Sequence, residues 1–532
     1  MLGISSGIIT ALIIIVAFFI IFSVLEKLGF LERFGLEMTI PFLIWQTQRG
    51  RKFIDNTAQK RKRFWKNYGS FGIIVASVCM VLIMILVVWS AMLASQIPAD
   101  QAPTADMVLA IPGVNPLIPI WYGIAGLAIS IIIHEFSHGI LARVADIKIK
   151  SLGLAFLVVP LGAFVEPDED EMGALPKIKR SRIYAAGPTT NVVLAVVLVL
   201  IFSMIFMGSI SAKEDGVIIN QMSGGSPLYN LDIEGGNEVI EINGENIAGI
   251  DDFYSLNIDP GTEVNVTIFD GTDERIYQVK TGLVVTGVGE GYPAYEAGLE
   301  VGDILLELGG EKIKNHQDFF DYMDNTFAEE SHLVNYTRKV DGEYQENTTE
   351  MVLVDKYEAY EELFPADNKE EYKGKGYAGI SVNYLGISVW DSDFLPAMLS
   401  RPFQGAETFS EYVGSGMTYI ALPFLGLSPV PENIANLYQV NGPLSILPTS
   451  SFWIISNLLY WVFWLNLMVG LFNALPAVPL DGGHIFKDGI RKLAEMFNIE
   501  EKRKEKITSS VSYVLGFTIL FLLVWQLIGP RI

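Results

Sequence analysis

The 532 residues are half apolar, yet the formal net charge is −23. Apolar and acidic material must lie in different parts of such a chain, which excludes a single soluble domain and indicates a protein part membrane, part aqueous. With Cys79 as its one cysteine, the chain can build neither a disulfide framework nor a thiolate metal site.

About 20 apolar residues span a roughly 30 Å hydrocarbon core. Six stretches reach or approach that length, at approximately 4–25, 71–94, 117–143, 183–208, 452–475 and 509–528. The first lacks a basic leader and a small-residue cleavage site, so it reads as a retained helix rather than a signal peptide. Cys79 sits inside the second stretch as a packing residue. Apolar pieces near 152–165 and 415–430 are too short or interrupted to span.

Charge orients these stretches. Residues 26–69 hold ten basic side chains, including the run Lys60, Arg61, Lys62, Arg63, and the positive-inside rule places that loop in the cytoplasm. The loop 95–116 has no Lys or Arg and reads as external; 144–182 and 484–506 are basic and read as internal. Between 211 and 380 the chain carries 36 acidic and 11 basic side chains, so the acidity belongs to one external insert. Phosphate would be repelled there, which argues against nucleic acid as a partner. Three N-x-[ST] triplets, at Asn265, Asn335 and Asn347, fall in this insert as acceptors for a glycosylating host.

The insert repeats itself. At an offset of 66, Pro227, Tyr229, Glu234, Gly236, Glu241 and Gly244 recur as Pro293, Tyr295, Glu300, Gly302, Glu307 and Gly310. Each copy reads as a strand, a short Pro-containing helix, a second strand and a turn. The run from Tyr292 through Gly298-Leu-Glu-Val-Gly-Asp to Gly310 resembles bacterial-type PDZ domains, which implies binding of peptide termini at a sheet edge. A rigid spacer or steric plug is the alternative. The expected divisions are 211–282 and 283–385 as two PDZ-like domains, then an interfacial linker at 386–451.

The chemistry is concentrated in two segments. His134-Glu135-Phe136-Ser137-His138 has H-E-x-x-H spacing, which sets two imidazoles on one helical face with a glutamate beside them. Two neutral imidazoles can ligate Zn²⁺, and Glu135 can serve as proton acceptor and donor. Ionisable groups at that membrane depth are costly and usually functional. A catalytic zinc takes three protein ligands, and Asp481 is the leading candidate for the third; it follows the fifth span in Asn473-Ala-Leu-Pro-Ala-Val-Pro-Leu-Asp481-Gly-Gly483. His484, His316 and His332 are not expected as ligands.

These two segments resemble the signatures of the site-2 protease family of intramembrane zinc metalloproteases, H-E-x-x-H and N-x-x-P-x-x-P-L-D-G-G, on separate membrane segments. The resemblance implies one Zn²⁺ per chain held by His134, His138 and Asp481, with Glu135 as catalytic acid and base. It implies transmembrane proteins as substrates, within a membrane whose lipid is the other partner. Asn473 either contacts substrate or caps a broken helix. Gly162-Ala-Phe164-Val-Glu-Pro-Asp is similar to the family's re-entrant β segment, where Gly162 and Phe164 would border the substrate, although Glu166 and Asp168 also fit a plain acidic loop. Ala186-Gly-Pro-Thr-Thr-Asn191 is similar to the family's A-G-P-x-x-N; Asn191 would stabilise the oxyanion or bond a neighbouring helix.

The expected fold is therefore a polytopic α-helical membrane protein of about six transmembrane helices with a re-entrant β segment and an external mixed α/β insert of two PDZ-like domains. Its membrane core would comprise 117–208 and 452–528. Residues 1–94 would add two further helices and a basic cytoplasmic loop. The zinc site would lie toward the cytoplasmic side.

Overall fold

The computed structural model describes residues 6–531, except 40–41, 49, 99–101, 103, 109–110, 158, 230, 232, 234, 364–366, 368, 426–428 and 498. The chain forms two compact units, one from residues 1–206, 406–429 and 450–532, the other from 207–405 and 430–449.

Among the described residues, five helices are long and apolar enough to cross a membrane: Lys62–Ala94, Ile120–Val144, Lys177–Ser209, Thr449–Asn473 and Glu501–Arg531. The expected first span forms a 22-residue helix, Ser6–Lys27. Apolar side chains point outward along these helices, among them Ile74, Val81 and Ile85 on one and Phe517, Leu520 and Phe521 on another, as a lipid solvent allows and water does not.

The segment expected to be re-entrant is half of a larger sheet. An antiparallel sheet runs in the order Leu36–Thr39, Phe42–Thr47, Ile149–Leu157, Val159–Pro167. Two of its strands come from the region expected to be a separate basic loop. Helix Arg51–Lys60 packs on Ile120–Val144, with Ile54 wholly buried against Gly139. Lys62 pairs with Asp146 at 2.7 Å, and Arg143 pairs with Asp55. Helix Lys62–Ala94 approaches Lys177–Leu200 closely at Gly69 and Gly72, where Thr189 donates to the Gly72 carbonyl at 3.0 Å and Tyr68 bonds Thr190 at 2.8 Å. Residues 31–94 are thus built into the membrane core rather than appended to it.

The second unit contains two sheets with the same strand order. The first runs Glu274–Lys280, Glu263–Phe269, Glu238–Ile242, Val217–Met222, Ile387–Asp391; the second runs Glu343–Val352, Ser331–Val340, Ile304–Leu308, Leu283–Val288, Ile380–Tyr384. The duplication read from the sequence therefore appears as two matching sheets. Their limits differ from the expected ones: Ile387–Asp391, beyond the boundary at 385, is the terminal strand of the first sheet, paired with Val217–Met222. Tyr438–Val440, also placed in the linker, pairs with Ile210–Ala212. One hydrophobic core runs through both sheets, joining Val217, Val239 and Val266 to Leu283, Leu305 and Val334.

Candidate metal centre

His134 and His138 lie one turn apart on helix Ile120–Val144, with ring centroids 4.8 Å apart. The chain between 475 and 480 carries Pro476 and Pro479, which stop the preceding helix. Asp481 then opens helix Asp481–Met496, tied to helix Lys177–Leu200 by the Arg180–Asp488 and Lys177–Glu495 pairs. The result is convergence: Asp481 Oδ2 lies 3.0 Å from His134 Nε2 and 3.2 Å from His138 Nε2. Among the described residues this is the group whose ligand atoms lie mutually close enough to share one metal ion, all within 4.8 Å.

The surroundings prepare both imidazoles as ligands. His138 Nδ1–H donates to the Ile183 carbonyl at 2.7 Å, which leaves the Nε2 lone pair free for a metal. His134 Nδ1 lies 3.3 Å from the side-chain amide of fully buried Asn191, whose Oδ1 otherwise has no partner. Turned so that Oδ1 accepts from Nδ1–H, the amide satisfies both groups and again frees Nε2. Below the pair sits Gly187, where a Cβ would stand 2.5 Å from each Nε2. The absent side chain keeps that volume open. Two imidazoles and a carboxylate, with room between them, suit Zn²⁺ with an open position. Glu135 stands beside the cluster, its Oε2 accepting the Val165 N–H at 3.2 Å from edge strand Val159–Pro167.

The sequence profile of peptidase family M50 matches residues 122–520, three quarters of the chain. The chain belongs to that family, the site-2 proteases. It is accordingly a site-2 type metalloprotease and, with its apolar helices, an integral membrane protein. A Vibrio cholerae protein named "Putative zinc metalloprotease" is 23% identical over 471 residues, 75% of this chain and 94% of the relative. Protease RseP of Yersinia pestis is 22% identical over 435 residues, 70% of this chain and 90% of its own length. An uncharacterized protein of Methanocaldococcus jannaschii is 27% identical over 289 residues, 52% and 73% of the two chains.

The other residues singled out in this protease lie outside the cluster. Asn473 ends helix Thr449–Asn473, its Nδ2 donating to the Val469 carbonyl at 3.0 Å within that helix. Gly162 and Phe164 occupy the edge strand opposite Ala155 and Gly153. Phe164 lines a cavity of about 680 Å³ shared with Tyr184 and His484, whose rings stack 4.5 Å apart. His316 and His332 belong to the second unit. The Ala186-Gly-Pro motif gives Gly187 no role by itself; its one signal in the sequence is a small residue beside a helix proline.

Proposed function

We propose that this protease hydrolyses peptide bonds in or beside transmembrane segments, with one Zn²⁺ held by His134 Nε2, His138 Nε2 and an Asp481 carboxylate oxygen. The carrying observation is their convergence over Gly187, with both histidines and Glu135 on a helix long and apolar enough to cross a bilayer. Zn²⁺ supplies, when bound, Lewis acidity that lowers the pKa of water and polarises a carbonyl. Glu135 takes the proton from the attacking water and returns it to the leaving amine nitrogen. Asn191 holds His134 in the required tautomer, and the Ile183 carbonyl does the same for His138. A transmembrane helix buries its scissile amide in its own hydrogen bonds, so it must unwind first; the Val159–Pro167 edge offers backbone partners to the extended form.

The charge pattern supports placing the metal centre toward the cytoplasm and the acidic insert outside. The insert's paired sheets support PDZ-like modules that screen substrates by the size of their external parts or by a newly made terminus. Ile380–Tyr384 and Ile387–Asp391, terminal strands of their sheets, are the places where an extended peptide would add. Metal analysis of purified protein, with cleavage of a model transmembrane substrate by wild type and Glu135→Gln, tests the assignment. Zinc retained with cleavage lost is expected. Equal cleavage by both proteins would remove Glu135 from its role.

A further inference from the structure

Along helix Glu501–Ile528 runs a groove of about 480 Å³ whose opposite wall is the 475–480 stretch that delivers Asp481. Its lining is apolar over most of its length, from Leu475, Val478 and Leu480 on one side to Phe517, Leu520 and Leu523 on the other. Polar groups gather at one end, where Lys487 meets Ser509 and Tyr513. Four basic residues nearby are paired with acids: Lys177, Arg180, Arg491 and Lys504 with Glu495, Asp488 and Glu501. Lys487 is exposed and pairs with no acid among the described residues.

Dimensions decide what fits. From Ser509 to Leu523 the helix advances about 21 Å at 1.5 Å per residue. Half of a roughly 30 Å hydrocarbon core plus one headgroup layer is about 20–22 Å, so the groove is one leaflet long, polar at one end and apolar below. An extended hydrocarbon chain about 4–5 Å across occupies roughly 260–410 Å³. The charge at Lys487, within the basic 484–506 segment, selects an acidic headgroup.

We propose that this groove holds one anionic phospholipid of the surrounding bilayer, with its acyl chain along Phe517–Leu523 and its phosphate at Lys487. The bound chain packs against the 475–480 wall and so braces the segment from which Asp481 projects.

The test uses the full chain reconstituted in nanodiscs of phosphatidylcholine with phosphatidylglycerol, with retained lipid counted by native mass spectrometry. One tightly held phosphatidylglycerol is expected on the wild type. Lys487→Gln should weaken its retention about fivefold, the share of one basic residue. Gly516→Leu, on the groove lining where the nearest neighbour of an added Cβ is Ala477 at 3.9 Å, should abolish it. Equal retention by all three proteins would overturn the proposal, as would indifference to headgroup charge. So would a photocrosslinker at Phe517 that labels a transmembrane substrate instead of lipid. None of these readouts involves peptide hydrolysis, so the result is independent of the proposed enzymatic roles.

Discussion

Gly187→Ala is the sharpest probe of the metal centre because it adds one methyl group and removes no ligand. The new Cβ would stand 2.5 Å from His134 Nε2 and from His138 Nε2, so each ring must retreat by about 0.9 Å to reach ordinary contact at 3.4 Å. Metal–ligand distances tolerate only about ±0.2 Å. Displacing a partner that merely orients a ligand already costs 10–100-fold in affinity; moving two ligands at once should weaken zinc by at least about 100-fold, near 3 kcal/mol. The helix itself gains, since Ala is favoured over Gly by about 1 kcal/mol at an interior position. The expected signature is therefore loss of zinc to a competing chelator, followed by elemental analysis, with only a small change in the thermal unfolding temperature in detergent because the helix gain offsets part of the overpacking. Wild-type zinc affinity in the variant would refute the geometry argued for the site.

Asn191→Leu should lower zinc affinity 10–100-fold by leaving His134 Nδ1 without a partner, while Asn191→Asp, which keeps an acceptor, should retain it; chelator competition distinguishes the two. Ile54→Ala should cost about 2–5 kcal/mol by opening a cavity against Gly139, read as a drop in unfolding temperature; no change would mean that the Arg51–Lys60 helix is an appendage. Glu238 is fully buried in the insert, and desolvation raises its carboxyl to about 7 from 4.5, opposed by the Ser392 hydroxyl. The folded state thus holds an extra proton between those values, and stability should fall as pH rises through about 7. Glu238→Gln should flatten that slope and gain about 3 kcal/mol at pH 8, measured as slowed hydrogen exchange in strands Val217–Met222 and Ile387–Asp391.

The chemistry was legible wherever it depended on local spacing. His134 and His138 share a face because they are four residues apart on a helix, and Asp481 follows two prolines that end the preceding helix. The 66-residue duplication announced two like modules for the same reason: periodicity survives in a one-dimensional string. What the sequence hid was pairing across long separations. Leu43 faces Phe156 across the sheet, a partnership that tertiary packing selects and no local pattern specifies. The role of Gly187 was signalled only by a small residue beside a helix proline, because its contribution is an empty volume. A further signal was present but short: Tyr377-Ala-Gly-Ile-Ser-Val382 returns seven residues later as Tyr384-Leu-Gly-Ile-Ser-Val389, and these are the segments that form the terminal strands of the two sheets.

That last arrangement has a consequence for how the insert is made. The first sheet cannot acquire its terminal strand until residue 391 has left the ribosome, by which time the whole second sheet has been synthesised inside it. The earlier module must therefore wait, with the exposed edge of Val217–Met222 unpaired, while the later one is completed. Both are then closed by the same stretch of chain, residues 380–391, in immediate succession. Maturation of the two modules should appear as a single late event, and truncations ending anywhere between 282 and 386 should leave an unfinished first sheet open to chaperones and proteases.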